Sequence, residues 1–175
     1  QAFWAGRTIL VHLPMEPKDH SWNPGAEALL VGDTEEGIRR KMAGMLAAVP
    51  HAIGANNHMG SRFTEHRTGM HGAISALKEQ AFFFVDSYTT AASRGLATAR
   101  QLGVPATRRH VFLDNVQDPA HICAQLGQLA LLARQQGHAV GIGHPNQAMV
   151  TALLGRCGRD TLQGIDMVGV QQLVR

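Results

Sequence analysis

Short apolar runs alternate with longer segments of helical spacing along the chain, and this alternation restricts the possible folds more than any other feature. Most runs are nearly continuous hydrophobic stretches of four to six residues, which is typical of strands buried on both faces of a parallel sheet. The predicted strands are residues 8–13, 52–55, 82–85, 111–113, 139–142 and 165–170. The pattern predicts an α/β fold in which helices connect parallel strands.

Start and stop signals place helices between these runs. Asp33, with Glu36 three residues later, resembles a capping box ahead of a helix over residues 37–49. Asp118-Pro119 predicts the start of a second helix. An Asp side chain accepts hydrogen bonds from the first helical turn, and a Pro at the first helical position gives up no intrahelical hydrogen bond. That helix is predicted to end at Gly137. Two more are predicted, one opening at Thr64 and one over residues 147–154.

Length and charge exclude several classes of protein. The 175 residues are enough for one domain with a substantial core, and we predict a single domain over residues 1–175. With 45% hydrophobic and 17% charged residues, the chain is neither disordered nor a coiled coil. No apolar run approaches the ~18 residues of a membrane span. The net charge is only +3 and the basic residues are scattered without interleaved aromatics, so no nucleic-acid partner is expected.

Polar residues follow the predicted strands at the points where they end. The chain has ten histidines beside a single tyrosine, and histidine is the commonest metal ligand. Because the carboxyl ends of parallel strands lie along one edge, residues dispersed in sequence are expected to converge there. The predicted convergent set is His12, Glu16, His58, Asp86, Asp114 and His144.

Each of these residues also has an ordinary structural interpretation. Asp86 and Asp114 are each placed to cap a following helix, Glu16 to be a solvated loop carboxylate, and His12 to be a core histidine. Taken together, the set suits a divalent metal bound by two imidazoles and a carboxylate. The spacing is not a short-range metal signature, and Cys123 and Cys157 are equally consistent with a disulfide or with two thiols.

Five sequence blocks resemble, in order, the motifs of the divergent polysaccharide deacetylase family. They are HLPMEP at 12–17, NNHMGSR at 56–62, FVDS at 84–87, VFLDN at 111–115 and GIGHP at 141–145. The resemblance implies a distorted (β/α) barrel of about seven strands. It also implies a periplasmic or secreted bacterial envelope protein whose relatives remove acetyl groups from polysaccharides with a divalent metal, zinc being the expected ion.

The same resemblance implies roles for residues that match the motifs. His12 and His58 are expected to bind the metal. His144 is expected to be the acid that protonates the leaving amine, or a partner of the bound acetate. Asp86, which could also ligate the metal or orient a ligand, and Asp114 are expected to be further catalytic residues. The expected partner is a polysaccharide or peptidoglycan fragment, contacted by Glu16, Asn57, Ser61 and Arg62.

One departure from the family pattern leaves two functions open. Family members begin with a strand ending in an Asp-Asp pair, which supplies a base and a metal ligand in the wider superfamily, and this sequence has no such pair. We therefore expect a barrel incomplete at its N-terminus. The alternatives are a metal-dependent carbohydrate deacetylase acting on acetamide or acetyl ester groups, and a catalytically inactive barrel that binds glycan or an envelope protein. An amidohydrolase is less well supported, because no His-x-His pair occurs.

Overall fold

The chain forms two compact units. The computed structural model describes residues 1–175. Residues 1–108 and 169–175 make up the first unit, and residues 109–168 make up the second. No helix in either unit has the length and apolar character needed to cross a membrane.

A four-stranded parallel sheet forms the centre of the first unit. Its strands lie in chain order, each paired in parallel with the next: β1 (Leu10–Met15), β2 (Gly54–Met59), β3 (Phe83–Asp86) and β4 (Ala106–Arg108). In the register of β1 and β2, His12 lies beside Asn56 and Pro14 beside His58. The predicted α/β class with a parallel sheet is confirmed, and the carboxyl ends of the strands share one edge.

Helices α1 (Glu35–Ala47), α2 (Arg67–Glu79) and α3 (Gly95–Leu102) make the crossovers between these strands, and a 3-10 turn (Phe63–Glu65) precedes α2. The helix predicted to open at Thr64 corresponds to α2, and its Met70, Ile74 and Leu77 are fully buried in the core. Burying each such side chain stabilises the unit by roughly 1.5–3 kcal/mol.

Burial differs between the strands, and the more exposed face of β1 carries His12. All four residues of β3 are buried, as predicted for a strand covered on both faces. Strand β1 instead alternates, with Leu13 buried and His12 exposed. Successive side chains of a strand point to opposite faces, so His12 lies on the face away from Leu13.

The second unit contains a two-stranded parallel sheet and three helices. Its strands are β5 (Val111–Phe112) and β6 (Gly141–Ile142), and its helices are α4 (Pro119–Gln136), α5 (Gln147–Leu154) and α6 (Arg156–Thr161). As predicted, Asp118 caps α4 by accepting from the His121 N–H at 2.8 Å, and Gly137 ends it in the left-handed conformation. A disulfide between Cys123 and Cys157 joins α4 to α6.

Three expectations about strands need revision. Residues 165–170 do not form the predicted strand, because Asp166 and Gly169 within the segment, and Gly164 before it, leave no continuous apolar face to bury. Strand β4 is present but was not predicted. The strands form a sheet of four and a sheet of two, so a barrel of about seven strands is not confirmed.

Candidate functional site

Two of the predicted site residues, His12 and His58, lie in contact on the main sheet. They come from the neighbouring strands β1 and β2, 46 residues apart in sequence. Nε2 of His12 lies 3.1 Å from Nδ1 of His58, and the ring centroids are 4.8 Å apart. The first unit therefore brings together the two residues predicted to bind a metal.

Asn56 and Ser87 extend this pair into a row that runs from β1 across β2 to the residue directly after β3. Nδ1 of His12 lies 3.1 Å from Oδ1 of Asn56, and Nδ2 of Asn56 donates to Oγ of Ser87 at 3.2 Å. We call His12, Asn56, His58 and Ser87 the polar row. Asn56 and Ser87 were absent from the predicted site, although the two-residue period of a strand already places Asn56 on the same face as His58.

Asn57 has a different position from its neighbours. It is 1% exposed and lies on the core face of β2, beside Leu13. Its amide donates to the Met59 carbonyl at 2.9 Å and accepts from the Ser87 N–H at 2.8 Å. Met59 is in the left-handed region with φ 52°, a conformation that costs a non-glycine residue about 1–2 kcal/mol. Asn57 thus stabilises the turn directly after His58, and its predicted contact with substrate stays a prediction.

Asp86, at the end of β3, holds the start of α3. One carboxylate oxygen accepts from the Tyr88 N–H at 2.8 Å, and the other accepts from Ser93 Oγ at 2.8 Å and from the Leu96 N–H at 3.1 Å. The residue is 1% exposed. The N-cap of α3 is Arg94, but Asp86 accepts from an N–H of the first helical turn, and its predicted catalytic role stays a prediction.

The predicted substrate residues Glu16, Ser61 and Arg62 lie together in the loops that follow β1 and β2. Glu16 accepts from the Val31 N–H at 2.7 Å and forms an ion pair with Arg62 at 3.0 Å. Arg62 also donates to Nε2 of His20 at 3.1 Å, and Ser61 Oγ accepts from the Lys18 N–H at 2.9 Å. The two loops are therefore tied to each other at the carboxyl edge of the sheet.

Glu65 strengthens the same loop region, although it was not predicted as a site residue. Its carboxylate accepts from Nζ of Lys18 and from Oγ1 of Thr90, both at 2.6 Å. The Lys18 hydrogen bond, followed by that of Thr90, lowers the pKa of the Glu65 carboxyl below its ordinary value.

Asp114 and His144 form a hydrogen-bonded dyad in the second unit. Nδ1 of His144 lies 3.2 Å from each Asp114 carboxylate oxygen, and Asp114 also accepts from the His144 N–H at 2.9 Å and from Nδ2 of Asn146 at 2.8 Å. The Asp114 side chain is fully buried, whereas that of His144 is 58% exposed. An ionised carboxylate only accepts hydrogen bonds, so Nδ1 of His144 carries the proton and Nε2 is the nitrogen available for proton transfer.

No three His, Cys, Asp or Glu side chains are grouped so that they could hold a metal ion. The polar row supplies two imidazoles, and the structure groups no carboxylate with them. A cavity of about 430 Å³ between α1 and α2 is lined by none of the predicted site residues.

Comparison with known proteins places the chain in a family. The model of the family described as divergent polysaccharide deacetylase matches residues 1–174. The chain belongs to the divergent polysaccharide deacetylase family. The family assignment made from the five motifs is thereby confirmed.

Two other proteins are similar to most of this chain. The uncharacterized Escherichia coli protein YibQ is 36% identical over 150 residues, which is 85% of this chain and 46% of YibQ. An uncharacterized Haemophilus influenzae protein is 34% identical over 97% of this chain and 60% of its own length. The chain thus spans about half to three fifths of these relatives.

A solved structure is also similar throughout. It is the crystal structure of the uncharacterized protein ATU2773 from Agrobacterium tumefaciens C58. The superposition covers 99% of this chain and 71% of the ATU2773 chain, with a TM-score of 0.93 and 26% sequence identity.

Proposed function

We propose that this chain is part of a metal-dependent carbohydrate deacetylase, which hydrolyses acetamide or acetyl ester groups on a polysaccharide or peptidoglycan fragment. The proposal rests on one observation above all. In a member of the divergent polysaccharide deacetylase family, two imidazoles meet at 3.1 Å near the carboxyl edge of a parallel sheet. Ligands of α/β folds bind at that edge.

The two imidazoles, and the separation of their ring nitrogens, suit a divalent metal with His12 and His58 as its protein ligands. Zinc is the expected ion, because imidazole nitrogen is one of its usual ligands. When bound, such an ion supplies Lewis-acid chemistry, by polarising an acyl oxygen and lowering the pKa of water.

Asp114 and His144 have the arrangement of an oriented acid–base group. The buried Asp114 carboxylate fixes the His144 proton on Nδ1 and holds a ring whose side chain is 58% exposed. In acetamide hydrolysis the leaving amine must gain a proton, and Nε2 of a protonated His144 can donate it. General acid catalysis of this kind contributes about 10²–10⁴-fold to a rate.

Substrate contacts are proposed for the loops that follow β1 and β2. Arg62 is 45% exposed while its partner Glu16 is 14% exposed. The guanidinium is thus held by a partly buried carboxylate and retains exposed N–H donors for sugar hydroxyl or acyl oxygens.

A periplasmic or secreted location is proposed with this function. The Cys123–Cys157 disulfide supports it, because disulfides form and persist in oxidising compartments and are rare in the bacterial cytosol. Polysaccharide and peptidoglycan substrates of the cell envelope lie in those same compartments.

Acetate release tests this function. The full-length protein is incubated with N-acetylated chitooligosaccharides or peptidoglycan fragments, with and without added Zn²⁺. We expect zinc-dependent acetate release that His58→Ala abolishes and His144→Ala reduces by about 10²–10⁴-fold. His71→Ala is the matched control, because His71 is an exposed histidine of α2 outside the polar row. Stoichiometric zinc retained by the His58→Ala variant would contradict the metal assignment.

The second candidate function is binding of glycan or an envelope protein without turnover. The observation in its favour is that no three ligand-type side chains gather at one place. Wild-type protein that binds these oligosaccharides with equal affinity with and without Zn²⁺, and releases no acetate, would support it over hydrolysis.

A further inference from the structure

We propose that Asn56 is a positioning residue that holds His12 with its proton on Nδ1, so that Nε2 carries the lone pair. For its link to a metal this inference rests on the proposed function. For the tautomer itself it rests on the hydrogen bonds of the polar row. Neither the motif resemblance nor the comparisons assign any role to Asn56 or Ser87.

The backbone of the sheet places Asn56 beside His12. Asn56 is the register partner of His12 across β1 and β2, so the two side chains are neighbours on one face of the sheet. Their contact is set by two paired strands and not by a loop, which keeps the 3.1 Å separation of Nδ1 and Oδ1 well defined.

Each hydrogen bond made by the Asn56 side chain has a defined direction. An amide oxygen only accepts, so Nδ1 of His12 is the donor to Oδ1 of Asn56. The other end of the amide is an NH₂ group, which only donates, and it points at Oγ of Ser87. The reverse amide orientation would turn NH₂ toward His12 and move the imidazole proton to Nε2. The two orientations therefore give opposite tautomers, which can be measured.

The tautomer of His12 also determines which imidazole donates in the contact between His12 and His58. With the proton on Nδ1, the His12 Nε2 lone pair faces Nδ1 of His58 at 3.1 Å, so His58 is the donor in the metal-free chain. Donors then follow one direction from His58 through His12 and Asn56 to Ser87. A metal-ligating histidine characteristically donates its other N–H to a fixed acceptor, and losing that acceptor costs about 10–100-fold in metal affinity.

The experiment reads the tautomer directly. Long-range ¹H–¹⁵N correlation spectra are recorded on the metal-free, full-length protein at about pH 8.5, two units above the ordinary imidazole pKa of about 6.5. We expect a protonated Nδ1 on His12 in wild type and in Asn56→Asp, which keeps an acceptor of similar size. In Asn56→Leu, of similar size but without an acceptor, we expect the Nε2-protonated form to appear. A protonated Nε2 in wild type, or an unchanged tautomer in Asn56→Leu, would overturn the proposal.

Zinc titration of the same variants provides a second readout. Asn56→Leu should weaken Zn²⁺ binding by about 10–100-fold and Asn56→Asp should restore it, with thermal melts verifying that both variants fold. Equal zinc affinity in wild type and Asn56→Leu would remove the positioning role. A wild-type protein that binds no zinc would contradict the proposed metal function, and the spectra would then decide the tautomer by themselves.

Discussion

Gly95, the first residue of α3, lies where the chain passes against the buried Asp86 carboxylate. A Cβ added here would be 2.6 Å from Oδ2 of Asp86 and 2.9 Å from the Phe84 ring. Because Asp86 is held by three hydrogen bonds, it cannot move without breaking them. We expect Gly95→Ala to lower the free energy of unfolding by about 1–3 kcal/mol in urea titrations.

A second helical glycine supplies the control for this variant. A Cβ added at Gly44 in α1 would meet no atom within 4 Å. Gly44→Ala should therefore raise the free energy of unfolding by about 0.4–1 kcal/mol, since alanine restricts the unfolded chain more than glycine does. Equal effects at the two positions would mean that the close approach of Gly95 to Asp86 has no energetic consequence.

Glu65 makes stability depend on pH in a defined direction. Its pKa is lowered in the folded protein from the ordinary value of 4.5, so ionised Glu65 stabilises the fold above that pH. This contribution is lost as the pH falls through the lowered folded pKa. We expect Glu65→Gln to melt below wild type at pH 7, with the difference shrinking below about pH 4.5. Glu79→Gln, which removes a carboxylate that forms no ion pair, should show no such trend.

At the scale of secondary structure elements, we expect the Cys123–Cys157 disulfide to stabilise the helices of the second unit. It closes a loop with a sequence separation of 34, for which chain entropy gives about 4 kcal/mol of stabilisation. Reduction should therefore accelerate amide hydrogen exchange in α4, α5 and α6, while exchange in α2 stays unchanged. A Cys123→Ser/Cys157→Ser variant should already exchange rapidly and should not respond to reductant. Unchanged exchange in α6 on reduction would contradict a stabilising role.

Element boundaries were harder to predict than the elements themselves, and β1 shows why. The predicted strand stops at Leu13, and the next residue, Pro14, cannot donate a hydrogen bond in a sheet interior. The observed strand continues through Pro14 to Met15. Strand β1 is an edge strand in the sheet order β1-β2-β3-β4. Pro14 contributes its carbonyl, which accepts from the Leu29 N–H at 2.9 Å. The position of a strand within its sheet is not readable from its own residues.

The start of α1 differs for a similar reason. Asp33 was the predicted cap, but Thr34 accepts from the Gly37 N–H at 3.1 Å and α1 begins at Glu35. The Asp33 carboxylate instead binds Nζ of Lys41 and the Leu30 N–H, both at 2.8 Å. Two adjacent residues were able to cap the helix, and a tertiary ion pair decided between them.

At the scale of the whole molecule, the sequence predicted which histidines and aspartates lie in contact better than it predicted the neighbours that hydrogen-bond to them. His12 with His58, and Asp114 with His144, were singled out because they lie at or near the ends of predicted strands, and each pair is in contact. Asn56, Ser87 and Asn146 were missed. The strand period places Asn56 on the face of His58, but the hydrogen bonds of all three residues join segments that are distant in sequence, and the sequence does not show which distant segments meet.

The parallel pairing of β1 with β2 also determines when the imidazole pair can exist during synthesis of the protein. Parallel neighbours cannot be joined by a tight hairpin, so the chain must build the whole α1 crossover between them. A nascent polypeptide that ends before β2 contains His12 but no partner for it. Any metal that requires both rings can be captured only after that long-range pairing has formed, and no short synthetic peptide from either strand will reproduce it.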